Sequence, residues 1–164
     1  MKVIFLDIDG VLNCYWSTSR CGHYIGIDED KVVRLRQIVE ATGAVIVLSS
    51  SWRKDWSKDT DANNECGRYI DRMLRKERLA ILDKTGKDRY DRRRLEIERW
   101  MEGKDIEAYV ILDDLDYDWG YSDCVNHWVA TSFGRKDGGL QDEHVAKAIE
   151  ILNASNNSEC KVEC

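Results

Sequence analysis

Two carboxylates two residues apart, Asp7 and Asp9, close the apolar run that begins at Val3, and Gly10 follows at once. A short continuous apolar run reads as a strand buried on both faces, and a glycine lets the chain leave its end sharply. At such an exit one acid can attack an electrophile or hold a cation while the other carries a proton. That division of labour suits a hard cation and a phosphate-like substrate.

Two further apolar runs end in groups that would complement these acids. Residues 44–48 (AVIVL) lead into Ser49-Ser50-Ser51, with Trp52-Arg53 behind, and residues 109–112 (YVIL) lead into Asp113-Asp114. If the three strands are parallel, their polar ends share one edge of a sheet, where ligands bind near a reversal of strand order. Asp7, Asp9 and one of Asp113 and Asp114 would repel one another at close range. A divalent cation relieves that repulsion, and oxygen ligands without a neighbouring His or Cys set favour Mg2+. Ser49 would donate to a phosphoryl oxygen beside main-chain N–H groups of the turn, and a basic residue would neutralise the transferring group. One such strand end is often only a turn or a cap, but three in this order specify a site.

The elements that must position these ends alternate along the chain. Strand Val3–Leu6 is followed by a helix from Asp28 to Ala41, with Asp28 as its cap and Gly43 beyond its end. After the second strand, residues 56–76 read as helix broken near Asn63-Asn64, Leu79–Leu82 as a short strand, and Arg92–Met101 as a helix whose apolar contacts are Leu95, Ile97 and Trp100. His127–Thr131 reads as the last strand and Gln141–Leu152 as the closing helix. Strands separated by helices imply an α/β architecture with a central, mainly parallel sheet covered on both sides.

The 164 residues carry a net charge of −6, 43% hydrophobic and 34% charged side chains, an ordinary globular composition that argues against wholesale coating of nucleic acid. The charge is uneven: from Arg68 to Arg99 twelve Lys/Arg face seven Asp/Glu, a local excess of five that is either a solvated helical face or a basic wall for a polyanion. No apolar run approaches the ~20 residues of a membrane span, and Met1-Lys2 lead straight into a core strand without room for a signal peptide. A cytoplasmic chain with no membrane partner is the expectation. None of the six cysteines forms a CxxC pair, so reduced structural thiols are expected rather than a zinc site or disulfides. One domain over 1–153 and a polar, fraying tail over 154–164 complete the expected organisation.

At VIFLDIDGVLN, VIVLSSSWR, RRLEIERWM and YVILDD the chain resembles the haloacid dehalogenase (HAD) superfamily, and more narrowly the small HAD domain of Swiss army knife RNA repair proteins. The resemblance implies a Rossmann-like three-layer sandwich with little or no cap domain. It implies that Asp7 is a nucleophile forming an aspartyl-phosphate. Asp9 would be the general acid and then the base, its main-chain carbonyl a Mg2+ ligand. Asp7, Asp113 and Asp114 would complete the metal site, and Ser49 and Ser50 would bind phosphate. The family's basic residue falls on Arg93, three residues before Glu96-Ile97; Arg92, Arg94, Lys84 and Lys87 also compete for that role. Asp83-Lys84-Thr85-Gly86 copies the phosphorylation sequence of P-type transport ATPases, HAD relatives too, but this chain has no room for their membrane helices.

The segment between Asn13 and Asp28 is a flap rather than a cap, which suits a large or exposed substrate. Trp16, Arg20, Trp52 and Arg53 combine rings and cations that could stack a base and hold its phosphate, although such rings also serve simply to pack loops. The expected partner is therefore a phosphorylated nucleotide or nucleic-acid end. A phosphoprotein or small metabolite is the alternative substrate, and a non-catalytic module binding phosphorylated ends the alternative class.

Overall fold

The computed structural model describes residues 1–154. Apart from Ala154, the tail expected over 154–164, with Cys160 and Cys164, lies outside the described residues. In chain order the elements are β1 (Lys2–Leu6), β2 (Arg20–Cys21), β3 (Tyr24–Ile25), α1 (Glu29–Thr42), β4 (Val45–Leu48), α2 (Glu65–Lys76), β5 (Ile81–Lys84), α3 (Arg93–Met101), β6 (Ala108–Asp113), α4 (Cys124–His127), β7 (Trp128–Ala130) and α5 (Asp142–Ala154). Strands β5, β4, β1, β6 and β7 lie side by side in that order, every neighbouring pair parallel.

Successive side chains of a strand point to opposite faces, so β1 can be apolar throughout only if both faces are covered. Ile4 and Leu6 enter one core with Val32 and Leu35 of α1, Ile70 and Leu74 of α2, and Ala148 and Leu152 of α5. Val3 and Phe5 enter the other with Ile97 and Trp100 of α3, and with Trp119 and Cys124. The result is the expected three-layer α/β sandwich. The insertion between β1 and α1 is a two-stranded antiparallel hairpin, β2–β3, and no cap domain stands over the sheet among the described residues.

Several local expectations change. Asp28 stands at the N-cap of α1 but makes no side-chain cap bond. Its carboxylate accepts instead from the hydroxyls of Ser17 and Ser19, which ties the hairpin's approach to the helix start. Helix α2 is shorter than 56–76 because Asn64, whose side chain accepts from the Gly67 N–H, caps it; Ser51–Lys54 and Thr60–Ala62 are separate 3-10 turns. β5 runs over Ile81–Lys84 rather than Leu79–Leu82, since the Leu79 N–H still closes the end of α2 on the Leu74 carbonyl. His127 ends a helical turn, its Nδ1 bonded to the Tyr109 carbonyl, and β7 starts only at Trp128. The four described cysteines are free thiols. Among them Cys21 of the hairpin meets Cys66 of α2 at 3.2 Å, and burial pushes the Cys21 thiol up to about 12. Among the described residues no helix is long and apolar enough to cross a membrane.

Candidate active site

Strand order places the site. β1 has β4 on one side and β6 on the other, so the chain reverses direction across the sheet at β1, and the crevice at the strands' carboxyl ends opens there. Leu6 is level with Leu48 of β4 and Leu112 of β6. The next residues, Ser49, Asp7 and Asp113, therefore stand in a row, and the ladder continues through them: Asp7 N–H donates to the Leu112 carbonyl and Ser49 N–H to the Leu6 carbonyl. Phe5, Val47 and Ile111 face the α3 layer, and two-residue periodicity turns Asp7, Ser49 and Asp113 the same way.

Arg93, the first residue of α3, meets them there. Its Nη1 lies 2.9 Å from Asp7 Oδ2 and 2.6 Å from Asp113 Oδ2, and all three residues are buried. Burial opposes the guanidinium's charge, but Asp7 and Asp113 outweigh it and hold the group firmly protonated. The Tyr117 ring covers the guanidinium at 4.6 Å. The rival basic residues go elsewhere: Lys84 to the main-chain carbonyls of Arg53 and Trp56, Lys87 to Asp91, Arg92 to Asp88, and Arg94 to Glu98.

One guanidinium does not balance the acids. Oxygens of Asp7, Asp113 and Asp114 lie within 4.8 Å of one another. Burial, then the charge of Asp7, push Asp113 up to about 7 and Asp114 up to about 6. Three clustered carboxylates with no nitrogen or sulfur donor fit a hard divalent cation such as Mg2+. Gly10 makes the approach of Asp114 possible: its φ is +77°, and a β-carbon there would lie 2.6 Å from that of Asp114. Asp9 is not in this cluster. Its carboxylate accepts from Asn13 Nδ2 and from the Trp52 indole N–H, so any part it plays toward an ion falls to its main chain.

Of the expected phosphate-binding hydroxyls, Ser49 is fully buried and its Oγ has no partner, an orphan donor at the sheet rim beside Asp7. The Ser50 hydroxyl instead accepts from the Trp52 N–H and caps the 3-10 turn. Arg53, expected to hold substrate, turns inward to the carbonyls of Ser49 and Ser50 and to Glu96, at 3.1, 3.0 and 2.8 Å. Arg20 spends its guanidinium on the carbonyls of Ser17 and Ser19 and borders a separate depression with Asp28 and Tyr69. Trp16 is solvent-exposed and packs edge-on against Tyr15.

Other participants escaped the sequence reading. Glu96, 3% exposed, accepts from Arg53 and from the Asp88 N–H, joining α3 to the Ser51–Lys54 turn. Asp88 gathers Arg92 and Arg99, which hold its carboxyl below the usual range and consume part of the expected basic wall. The Thr85 hydroxyl is a second buried orphan, lining a cleft of about 480 Å³ that Arg93, Tyr117, Lys54 and Lys87 also border. Asn13 could have been noticed from its place in DIDGVLN, whereas Glu96 served only to locate Arg93 and Thr85 was read only as part of Asp83-Lys84-Thr85-Gly86.

A parallel three-layer sandwich with an acidic cluster at the carboxyl end of its first strand defines a HAD-type, phosphatase-like domain. The chain matches the family model described as the HAD domain in Swiss Army Knife RNA repair proteins over residues 3–145, and it belongs to that family. A search of curated proteins finds no match to the chain.

Proposed function

We propose that this protein is a Mg2+-dependent phosphomonoesterase that acts through an aspartyl-phosphate on Asp7, with nucleotides or nucleic-acid ends as substrates. The observation that carries the reading is the convergence at Asp7 of Arg93, the orphan Ser49 hydroxyl and two further carboxylates. In this mechanism an Asp7 oxygen attacks phosphorus. Ser49 donates to a phosphoryl oxygen, and Arg93 keeps Asp7 and Asp113 oriented and shares the charge of the transferring group. Asp9 gives a proton to the departing oxygen, then takes one from the water that attacks the aspartyl-phosphate. Asp7, Asp113 and Asp114 would hold the cation, which supplies electrostatic stabilisation of the phosphoryl charge. The open cleft and the small hairpin in place of a cap favour a bulky substrate end.

The test is turnover of a panel of phosphorylated oligonucleotides, mononucleotides, phosphopeptides and sugar phosphates, with Mg2+ and with EDTA. Asp7→Asn is expected to lower turnover by about 10³-fold or more while the thermal melt stays cooperative. Normal turnover in that variant sinks the mechanism. Preference for phosphopeptides or sugar phosphates overturns the substrate assignment alone, and phosphate binding without release in saturating Mg2+ makes the protein a binding module.

A further inference from the structure

Both oxygens of the Asp9 carboxylate are already spoken for. Asn13 Nδ2 donates to Oδ1 at 3.0 Å, and the Trp52 indole N–H donates to Oδ2 at 2.9 Å. Neither donor is free to wander. Asn13 is fully buried, and its own Oδ1 accepts from the Gly10 N–H at 3.0 Å, which fixes which way the amide points. Trp52 is 7% exposed, its main chain is held by the Ser50 hydroxyl, and the exposed Tyr24 ring of the hairpin rests edge-on against it at 6.1 Å. Asp9, Tyr24, Ser51, Trp52 and Lys54 border a small cavity of about 80 Å³, and Ser51 and Lys54 also border the main cleft.

We infer that Trp52 and Asn13 are positioning residues that aim the Asp9 carboxyl at the leaving oxygen. This rests on the phosphatase reading above. A carboxyl group offers about four lone-pair positions, and two donors leave the others free for the travelling proton. Held at both oxygens, the group keeps one orientation; with one donor removed it can swivel off line, and a proton donor out of line is lost to the reaction. The loss falls on substrates whose leaving oxygen must be protonated to depart. Esters that expel a stable anion hardly notice it. Trp52 therefore acts through its N–H, not as the stacking surface that its ring alone suggests.

The discriminating experiment is kcat/KM, which runs through departure of the leaving group, for 4-nitrophenyl, phenyl and simple alkyl phosphates. Trp52→Phe keeps the ring and removes the N–H. It is expected to lower the 4-nitrophenyl value less than ~3-fold and the alkyl value roughly 30-fold or more, part of the ~10²–10⁴-fold that general-acid transfer contributes. An equal fall across the series overturns the inference in favour of stacking or a structural role, and no fall at all overturns it outright. Wild-type protein inert to the whole series in Mg2+ removes the phosphatase reading and this role with it, an outcome distinct from a uniformly affected variant. Independently of turnover, the Trp52 indole N–H resonance, identified by its absence in Trp52→Phe, should move upfield in Asp9→Ala; an unmoved resonance denies the contact.

Discussion

Asp113 lies fully buried beside Asp7, where burial and a neighbouring negative charge make its ionised form costly. Such a residue serves the site at the expense of the fold. Asp113→Asn keeps one oxygen, for either the Leu115 N–H or Arg93, and removes one charge from a cluster whose three carboxylates outnumber the single guanidinium. At pH 8 in EDTA the variant should be more stable than the parent by about 1 kcal/mol, ~2–4 °C in the melting temperature for a chain of this size. A lower melting temperature would show that the Arg93–Asp113 pair outweighs the crowding of the acids. Asp7 was legible because a carboxylate pair at a strand end is a local pattern, and Arg93 because the family resemblance places a basic residue three positions before Glu96-Ile97. The direction of Trp52 was not, since a tryptophan after a strand reads equally as a stacking ring, a core residue or a hydrogen-bond donor.

Helix α3 forms where expected and buries Ile97 and Trp100, but periodicity alone misjudged the rest of its inner face. Its inner face buries Arg93 and Glu96 together with Ile97 and Trp100, whereas Leu95, expected inside, is only half-buried. A face carrying two charged residues gives a weak apolar signal, yet those charges position the site: Arg93 meets Asp7, and Glu96 meets the Arg53 that braces the carbonyls of Ser49 and Ser50. Removing one partner of a buried ion pair leaves the other uncompensated. Glu96→Ala should therefore destabilise the protein by ~3 kcal/mol or more in urea unfolding; a loss below about 1 kcal/mol would mean that Arg53 finds solvent or another acceptor. The strand β5 illustrates the opposite limit. An edge strand has one neighbour, Leu82 stays exposed, and the apolar run alone could not say where the ladder begins.

Across the whole molecule, cation binding, protonation and stability are one linked equilibrium. Asp113 is held at about 7 and Asp114 at about 6, against an ordinary value of 3.8, so between these limits the folded protein binds more protons than the unfolded chain. The contribution of these two groups to metal-free stability is thus fully present only below the ordinary value of 3.8 and is lost as pH rises from there through 6 to 7. A cation must displace the same protons, so it binds better as they leave. The rise in melting temperature on adding Mg2+, at matched ionic strength, should be small at pH 5 and grow to a plateau near pH 8, reaching ~5–10 °C at about a hundred times the dissociation constant. Groups such as His144, whose half-buried ring is shifted downward, cancel in that difference. A shift that is flat from pH 5 to 8 would place the ion elsewhere than on these carboxylates.

By itself the sequence determined the layers and the rim. Continuous apolar runs can be satisfied only between two covered faces, and a parallel sheet brings their polar ends to one edge however far apart they lie in the chain. Family resemblance added Arg93 from among five basic candidates. Tertiary structure alone decided which polar groups spend themselves on the scaffold, as Ser50, Arg53 and Arg20 do, and which stay uncommitted, as the hydroxyls of Ser49 and Thr85 do. It alone turned the Asp9 carboxyl toward Asn13 and Trp52. The physical reason is that a hydrogen bond depends on direction and on a competing partner within about 3 Å, and residues 43 positions apart acquire that only when the strands between them align.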